Sequence, residues 1–202
     1  MNNGRLFVIS GPSGCGKDAI IKRVLEQLPD IYFSISSITR PMRDNETPGE
    51  KYNFITLDEF EELIRNDGLL EYNEYLGNYY GTPKKPIEEA IKNGREAIVE
   101  VDVNGAANIR KLNPDVVSIF ILPPSLEELK NRLVGRGTES DDIVKKRLMS
   151  ARDEIARANE YDYIIINDCL EEAVNDFISI IKSDRHSSSR TKYLINEVLK
   201  QC

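Results

Sequence analysis

The chain has 202 residues, enough to bury a full core and most simply one domain. Its 27 basic and 34 acidic residues leave a formal net charge of −7, which disfavours a nucleic-acid partner but leaves open a local nucleotide site. Cys15, Cys169 and Cys202 have no metal-ligand spacing and the single His186 stands in a Ser-rich stretch, which argues against a disulfide framework and leaves no histidine metal cluster or His-based triad.

Residues 6–10 (Leu-Phe-Val-Ile-Ser) read as a buried strand that follows the N-terminal Met1 almost at once, so no signal peptide is expected. It runs into Gly11-Pro12-Ser13-Gly14-Cys15-Gly16-Lys17, and Ile20, Ile21, Val24, Leu25 and Leu28 then follow at helical spacing. Strand, glycine-rich turn and helix are the context that makes G-x-x-x-x-G-K a phosphate-binding loop. Glycines let several backbone N–H groups converge, the helix start adds its positive end, and Lys17 supplies a point charge to the β- and γ-phosphates. Cys15 stands where any small residue serves, and no redox role is assigned to it. The residue after the lysine departs from the motif, which calls for Ser or Thr and has Asp18 here. Two readings of Asp18 stay open: a hard oxygen ligand for Mg²⁺, or an acid in a first helical turn.

Residues 34–86 change character, being rich in Tyr, Asn, Thr and Gly, and suggest short antiparallel strands around one helix opened by Thr56-Leu57-Asp58-Glu59. Gly77-Asn78 is placed to turn a hairpin between 69–76 and 79–82. Residues 97–103 read as a strand on which Glu100 and Asp102, two apart, share a face and need a metal, a ligand or a shared salt bridge. A short helix is expected over 105–111. Residues 116–122 form the longest apolar run, far below the roughly 18 residues of a membrane span, so a cytoplasmic protein with no membrane partner is expected. Ser125-Leu126-Glu127-Glu128 opens the next helix as a capping box. Gly135-Arg136-Gly137-Thr138 offers hinge glycines between helices, residues 163–166 read as another strand, and a helix carrying Ala173, Val174, Phe177, Ile178 and Ile181 follows. A polar linker over 184–190 precedes a last helical stretch with Tyr193, Leu194, Ile195, Val198 and Leu199, which could pack on the core or on a partner. The alternation of short apolar strands with amphipathic helices indicates an α/β fold, a parallel sheet covered on both faces.

Arg40 and Arg43 stand three apart, Arg132 and Arg136 four apart, with Arg147 and Arg152 beyond. Guanidiniums in two clusters beside glycine hinges fit phosphate recognition better than solvated surface charge.

Together, the segments Ser10-Gly11-Pro12-Ser13-Gly14-Cys15-Gly16-Lys17, Ser36-Ser37-Ile38-Thr39-Arg40-Pro41-Met42-Arg43, Gly77-Asn78-Tyr79-Tyr80-Gly81-Thr82 and Gly135-Arg136-Gly137-Thr138-Glu139 closely resemble those of guanylate kinases, from about residue 6 to 181. The resemblance implies a P-loop kinase core (1–33, 84–134 and 159–183), a small mixed α/β GMP-binding insertion (34–83), a helical lid (135–158) and a C-terminal linker and helix (184–202). It implies transfer from ATP, with Mg²⁺, to GMP and also dGMP. Gly11, Pro12, Ser13, Gly14, Cys15, Gly16, Lys17 and Asp18 would hold ATP. Arg40, Arg43, Tyr52 and Tyr80 would hold the GMP phosphate, and Ser36, Glu71, Thr82 and Asp102 would read guanine. Lys17, Arg43, Arg136 and Arg147 would act on the phosphoryl group in flight, and Asp18 is the candidate metal residue. Two further readings are a guanylate-kinase-like scaffold without catalysis and a P-loop kinase for another small acceptor. Lys17, Arg136 and Arg147 weigh against the first, and Glu71 with Ser36 and Thr82 against the second. Oligomeric state is left open by the sequence.

Overall fold

The computed structural model describes residues 4–43, 46–75, 77–135 and 141–200. A five-stranded parallel sheet is built from β1 (Leu6–Ser10), β2 (Tyr32–Phe33), β7 (Ala97–Glu100), β8 (Val117–Leu122) and β9 (Tyr163–Ile166), in the order β2-β7-β1-β8-β9. β1 is central and buried at all five of its positions. Alternation along it decides which face each side chain joins. Phe7 and Ile9 pack with Ile98, Ile119, Ile121 and Ile165 under α1 (Lys17–Gln27) and α7 (Leu170–Asp184), whereas Leu6 and Val8 pack with Ala97, Val99 and Phe120 under α4 (Val103–Leu112). Both faces are therefore covered, which is why these strands read as unbroken apolar runs.

The second sheet has four strands in the order β4-β3-β6-β5: β3 (Ser36–Ile38), β4 (Tyr52–Phe54), β5 (Leu69–Tyr75) and β6 (Asn78–Pro83). β3 pairs with β6 and β5 with β6 antiparallel, but β3 and β4 run parallel, so the expectation of antiparallel strands alone is corrected to a mixed sheet. The 13 residues between β3 and β4 are long enough to carry the chain back and start β4 in the same direction. α2 (Leu57–Arg65) starts at a complete capping box: Glu59 N donates to Thr56 Oγ1 and Thr56 N to Glu59 Oε2. Its Phe60 is buried and stacks on Tyr79. α3 (Lys84–Lys92) leads back to the parallel sheet.

Three further expectations are corrected. β7 ends at Glu100, and Asp102 is the N-cap of α4, accepting from the backbone of Asn104 and Gly105. At α5 (Leu126–Val134) only half the capping box forms, because the Glu128 carboxylate instead accepts from Arg132 Nε at 2.8 Å. The polar linker shrinks to residues 185–187, since α7 runs to Asp184 and α8 (Ser188–Leu199) takes in Arg190. Arg190 is buried against Glu96 and Asp184, while Leu194, Ile195, Val198 and Leu199 of α8 are exposed. α6 (Asp141–Ala156) and a 3-10 turn (Ala158–Glu160) complete the elements. Among the described residues no helix is long and apolar enough to cross a membrane.

Candidate active site

The chain crosses from one side of β1 to the other between β7 and β8, and the loops leaving β1 and β7 meet at the carboxyl ends of those strands. Open parallel sheets bind ligands at such a point. A cleft of about 910 Å³ opens there between the two sheets. Gly11, Ser13, Lys17 and Asp18 line one side, Ser36, Tyr52, Glu71 and Tyr80 the other, and Glu100 and Asp102 the floor between them.

The glycine-rich turn enters α1 with no side-chain cap on the helix start, so its first N–H groups face the cleft unclaimed by a side chain. Gly16, the N-cap, sits at φ 95°, and a Cβ there would come within 2.2 Å of Asn167 Nδ2. Both the left-handed backbone and the close approach require glycine. Asn167 donates to the Cys15 carbonyl at 2.7 Å, and Arg132 adds bonds to the carbonyls of Cys15 and Asn167. Arg132 thereby braces the turn. The Cys15 thiol is buried, and burial pushes its pKa up, in keeping with a packing role.

Lys17 Nζ donates to the Gly11 carbonyl at 2.7 Å and lies 3.6 Å from Glu100 Oε1. Burial pushes the Glu100 carboxyl up, against the pull of Lys17. Asp18 Oδ2 accepts from Lys51 Nζ at 2.7 Å, a contact that ties the start of α1 to the residue before β4. Partial desolvation works to raise the Asp18 carboxyl, but the hydrogen bond and charge of Lys51, with the charge of Lys17, outweigh it and hold the carboxyl low. The same carboxylate raises Lys51 against a desolvation penalty.

On the opposite wall, Thr82 Oγ1 donates to Glu71 Oε1 at 2.6 Å. Burial, with Asp102 nearby, raises the Glu71 carboxyl to about 6. Thr82 is buried one layer behind the wall. Arg40 lies over the rings of Tyr52 and Phe54, 5.4 and 5.6 Å from their centroids, and is bidentate to Glu46 at 2.7 and 2.5 Å. That pairing, with the Arg43 backbone N–H, pulls Glu46 down to about 2. Tyr52 and Tyr80 meet edge to face, while the Arg43 side chain is exposed. Arg147 of α6 reaches Ser13 Oγ at 3.4 Å, bringing that helix to the phosphate turn. Arg136, Gly137, Thr138 and Glu139 lie outside the described residues, as do Leu76 and Cys202.

The structure thus gathers Lys17, Asp18, Ser36, Tyr52, Glu71, Tyr80 and Asp102 on one cleft, with Arg40, Thr82 and Arg147 bonded or packed to its walls. Sequence reasoning missed Lys51, Asn73, Glu154, Asn167 and Glu46. Asn73 stands two residues after Glu71 on the same strand face, a signal that alternation could have found. Glu154 faces the cleft from α6, its carboxyl raised by burial.

The family model for guanylate kinase matches residues 3–184. A guanylate kinase of Thermus thermophilus is 45% identical over 198 residues, covering 98% of this chain and 90% of that protein. One of Clostridium acetobutylicum is 47% identical over 189 residues, covering 94% and 90%. The crystal structure of guanylate kinase from Anaplasma phagocytophilum superposes with a TM-score of 0.77 at 33% identity, covering 94% of this chain and 90% of that one.

Proposed function

Because the chain belongs to the guanylate kinase family and is an ATP:GMP phosphotransferase, we propose a division of labour across its cleft. Residues 11–18 take the ATP phosphates on the open N–H groups of α1, and Lys17 exchanges its carbonyl contacts for the β- and γ-phosphates. Arg40, Arg43, Tyr52 and Tyr80 hold the GMP phosphate. Ser36, Glu71, Thr82 and Asp102 read the base. Residues 34–83 serve as the GMP-binding insertion and 135–158 as the lid, from which Arg136 and Arg147 approach the phosphoryl group.

The half-buried Glu71, bonded to the buried Thr82 and across the cleft from Lys17, carries this reading. Guanine offers two donor groups side by side, N1–H and the exocyclic amine, and a carboxylate accepts both. Adenine presents an acceptor at N1, which would face Glu71 unpaired, and a polar site rejects such a misfit strongly. Transfer then needs positioning and charge neutralisation. An oxygen of the GMP phosphate bonds to the γ-phosphorus as the bond to the β–γ bridging oxygen breaks, leaving ADP. The nucleophile is already anionic, so no side-chain base is used.

Among the described residues no group of three or more His, Cys, Asp or Glu gathers for a metal. Mg²⁺ needs only one or two carboxylates when phosphates and water complete its octahedron. Asp18 and Glu100 fit that demand, both lining the cleft beside Lys17. They would hold Mg²⁺ brought in with ATP, and the bound ion supplies neutralisation of phosphate charge.

An ADP-release assay with ATP, Mg²⁺ and a panel of GMP, dGMP, AMP, CMP and UMP tests the assignment. Turnover with GMP and dGMP alone is expected, and a preference for another acceptor overturns the base-reading roles.

A further inference from the structure

Glu71 and Asn73, two apart on β5, share one face of their sheet, and both line the cleft. The two ends of the Asn73 amide have opposite requirements. Its Nδ2 donates to Asp102 Oδ2 at 2.7 Å, while Asp102 Oδ1 accepts the backbone N–H groups of Asn104 at 2.9 Å and Gly105 at 2.7 Å. A carboxylate that caps a helix through two N–H groups only accepts, so it dictates which end of the amide turns toward it. The Asn73 carbonyl is thereby aimed away from Asp102. That oxygen is buried and has no hydrogen-bond partner among the described residues.

The arrangement is held by close packing. A Cβ on Gly105 would lie 2.8 Å from Glu71 Oε2 and 3.1 Å from Val101 Cβ, so the glycine in the first turn of α4 lets Glu71 sit against the helix that Asp102 caps. Glu71, Asn73 and Asp102 therefore form one group, in which two carboxylates are already engaged by the protein and one amide oxygen is not. An unengaged buried acceptor is costly unless a ligand supplies the donor. The guanine edge carries three donor hydrogens, one on N1 and two on the exocyclic amine.

We propose that Asn73 is a specificity-determining residue, its side-chain carbonyl accepting one hydrogen of the exocyclic amine while Glu71 accepts N1–H and the other. The assignment rests on Glu71 being the residue that reads the base. In this role Asp102 acts on the base through Asn73, by fixing the amide. Asn73 then discriminates guanine from a purine with the same N1–H and carbonyl but no amine at C2.

The probe pair is GMP and IMP, which differ by that amine alone, each titrated calorimetrically into the full chain and its variants. For Asn73→Ala, the Kd for GMP is expected to rise about tenfold and that for IMP less than about twofold, narrowing the preference for GMP by nearly the whole factor. Equal weakening of both nucleotides overturns the proposal and leaves Asn73 as a support for Asp102 alone. An unchanged Kd for GMP overturns it as well. ATP affinity in the same series reports a folded chain, and Asn73→Ser replaces the alanine variant if that measure fails. Glu71→Ala separates this idea from the reading beneath it. If Glu71→Ala leaves GMP binding intact, the base pocket itself is misplaced. If it weakens GMP while Asn73→Ala preserves the GMP-to-IMP ratio, only Asn73 is wrong.

Discussion

Glu71 is a carboxyl that burial has raised to about 6, beside a threonine hydroxyl and in line with Asn73 on one strand face. Its proposed task is to accept two donors, which only the ionised form performs. GMP affinity is therefore expected to strengthen as pH rises through 6 and to level off above about pH 7, with proton release on binding below that range. The linked stability has the opposite sign. Between the ordinary glutamate value of 4.5 and about 6 the folded chain binds more protons at this site than the unfolded one, so the site's contribution to stability falls as pH rises through that window. Glu71→Gln removes the stability dependence and reduces that of affinity to the part set by the GMP phosphate, whose second proton also leaves at about pH 6, and calorimetric titration of GMP from pH 5 to 8 checks them; a pH-dependence unchanged in the variant would assign it to another group. At Lys17, whose contacts are to loop carbonyls and Glu100, Lys17→Ala is expected to cut kcat by about 10²–10³-fold with little loss of stability. Single-turnover phosphoryl transfer and a urea melt measure the two effects, and near-normal turnover would sink the role given to Lys17.

Elements show where local pattern carried information and where it ran out. Residues 6–17 were legible because strand, glycine turn and amphipathic helix each leave a local mark, and α2 was legible from its capping box. The Glu100-Val101-Asp102 stretch misled because acids two apart mimic a continuing strand. Asn104 and Gly105 behind Asp102 mark instead a helix start, and the structure puts both acids on the cleft by different means. Lys51, Asn167 and Glu46 were illegible, since each acts through a partner at least six residues away that no period identifies. Asp18 belongs to this group too: its first-turn position is visible in the sequence, its bond to Lys51 is not. That bond joins α1 to the residue preceding β4, and it places an ammonium on the carboxylate proposed for Mg²⁺. Asp18→Ala removes a ligand, whereas Lys51→Met removes a competitor for it. Mg²⁺-dependent tightening of ATP binding is expected to require several-fold more Mg²⁺ in the first variant and less in the second, read by calorimetry without turnover. If the Mg²⁺ titrations of both variants superimpose on that of the parent chain, Asp18 is a helix-start acid held by Lys51.

At the scale of the whole molecule, the cleft lies at the carboxyl ends of the parallel strands and a second polar cluster lies at their amino ends. Glu96, just before β7, accepts the Arg5 backbone N–H at 2.7 Å and ion-pairs with Arg185 at 3.2 Å and Arg190 at 3.0 Å. Asp184 in turn pairs with Arg5 at 3.2 Å and Arg190 at 3.0 Å. The Arg190 and Glu96 side chains are only 5% and 3% exposed, which makes this a buried network tying α8 to the start of the sheet. Buried charges contribute little net stability as a set, yet removing one partner leaves the others desolvated and unpaired. Arg190→Met keeps the apolar stem and deletes the charge. Because Glu96 and Asp184 each retain another cation, the loss is expected near the lower end for such changes, about 3 kcal/mol in urea unfolding. Kinetics with ATP and GMP should stay unchanged, since no residue of this network lines the cleft. If Arg190→Met costs less than about 0.5 kcal/mol, α8 is not held by this cluster; if it slows phosphoryl transfer, the two ends of the sheet are coupled, and independence of the tail from the reaction fails.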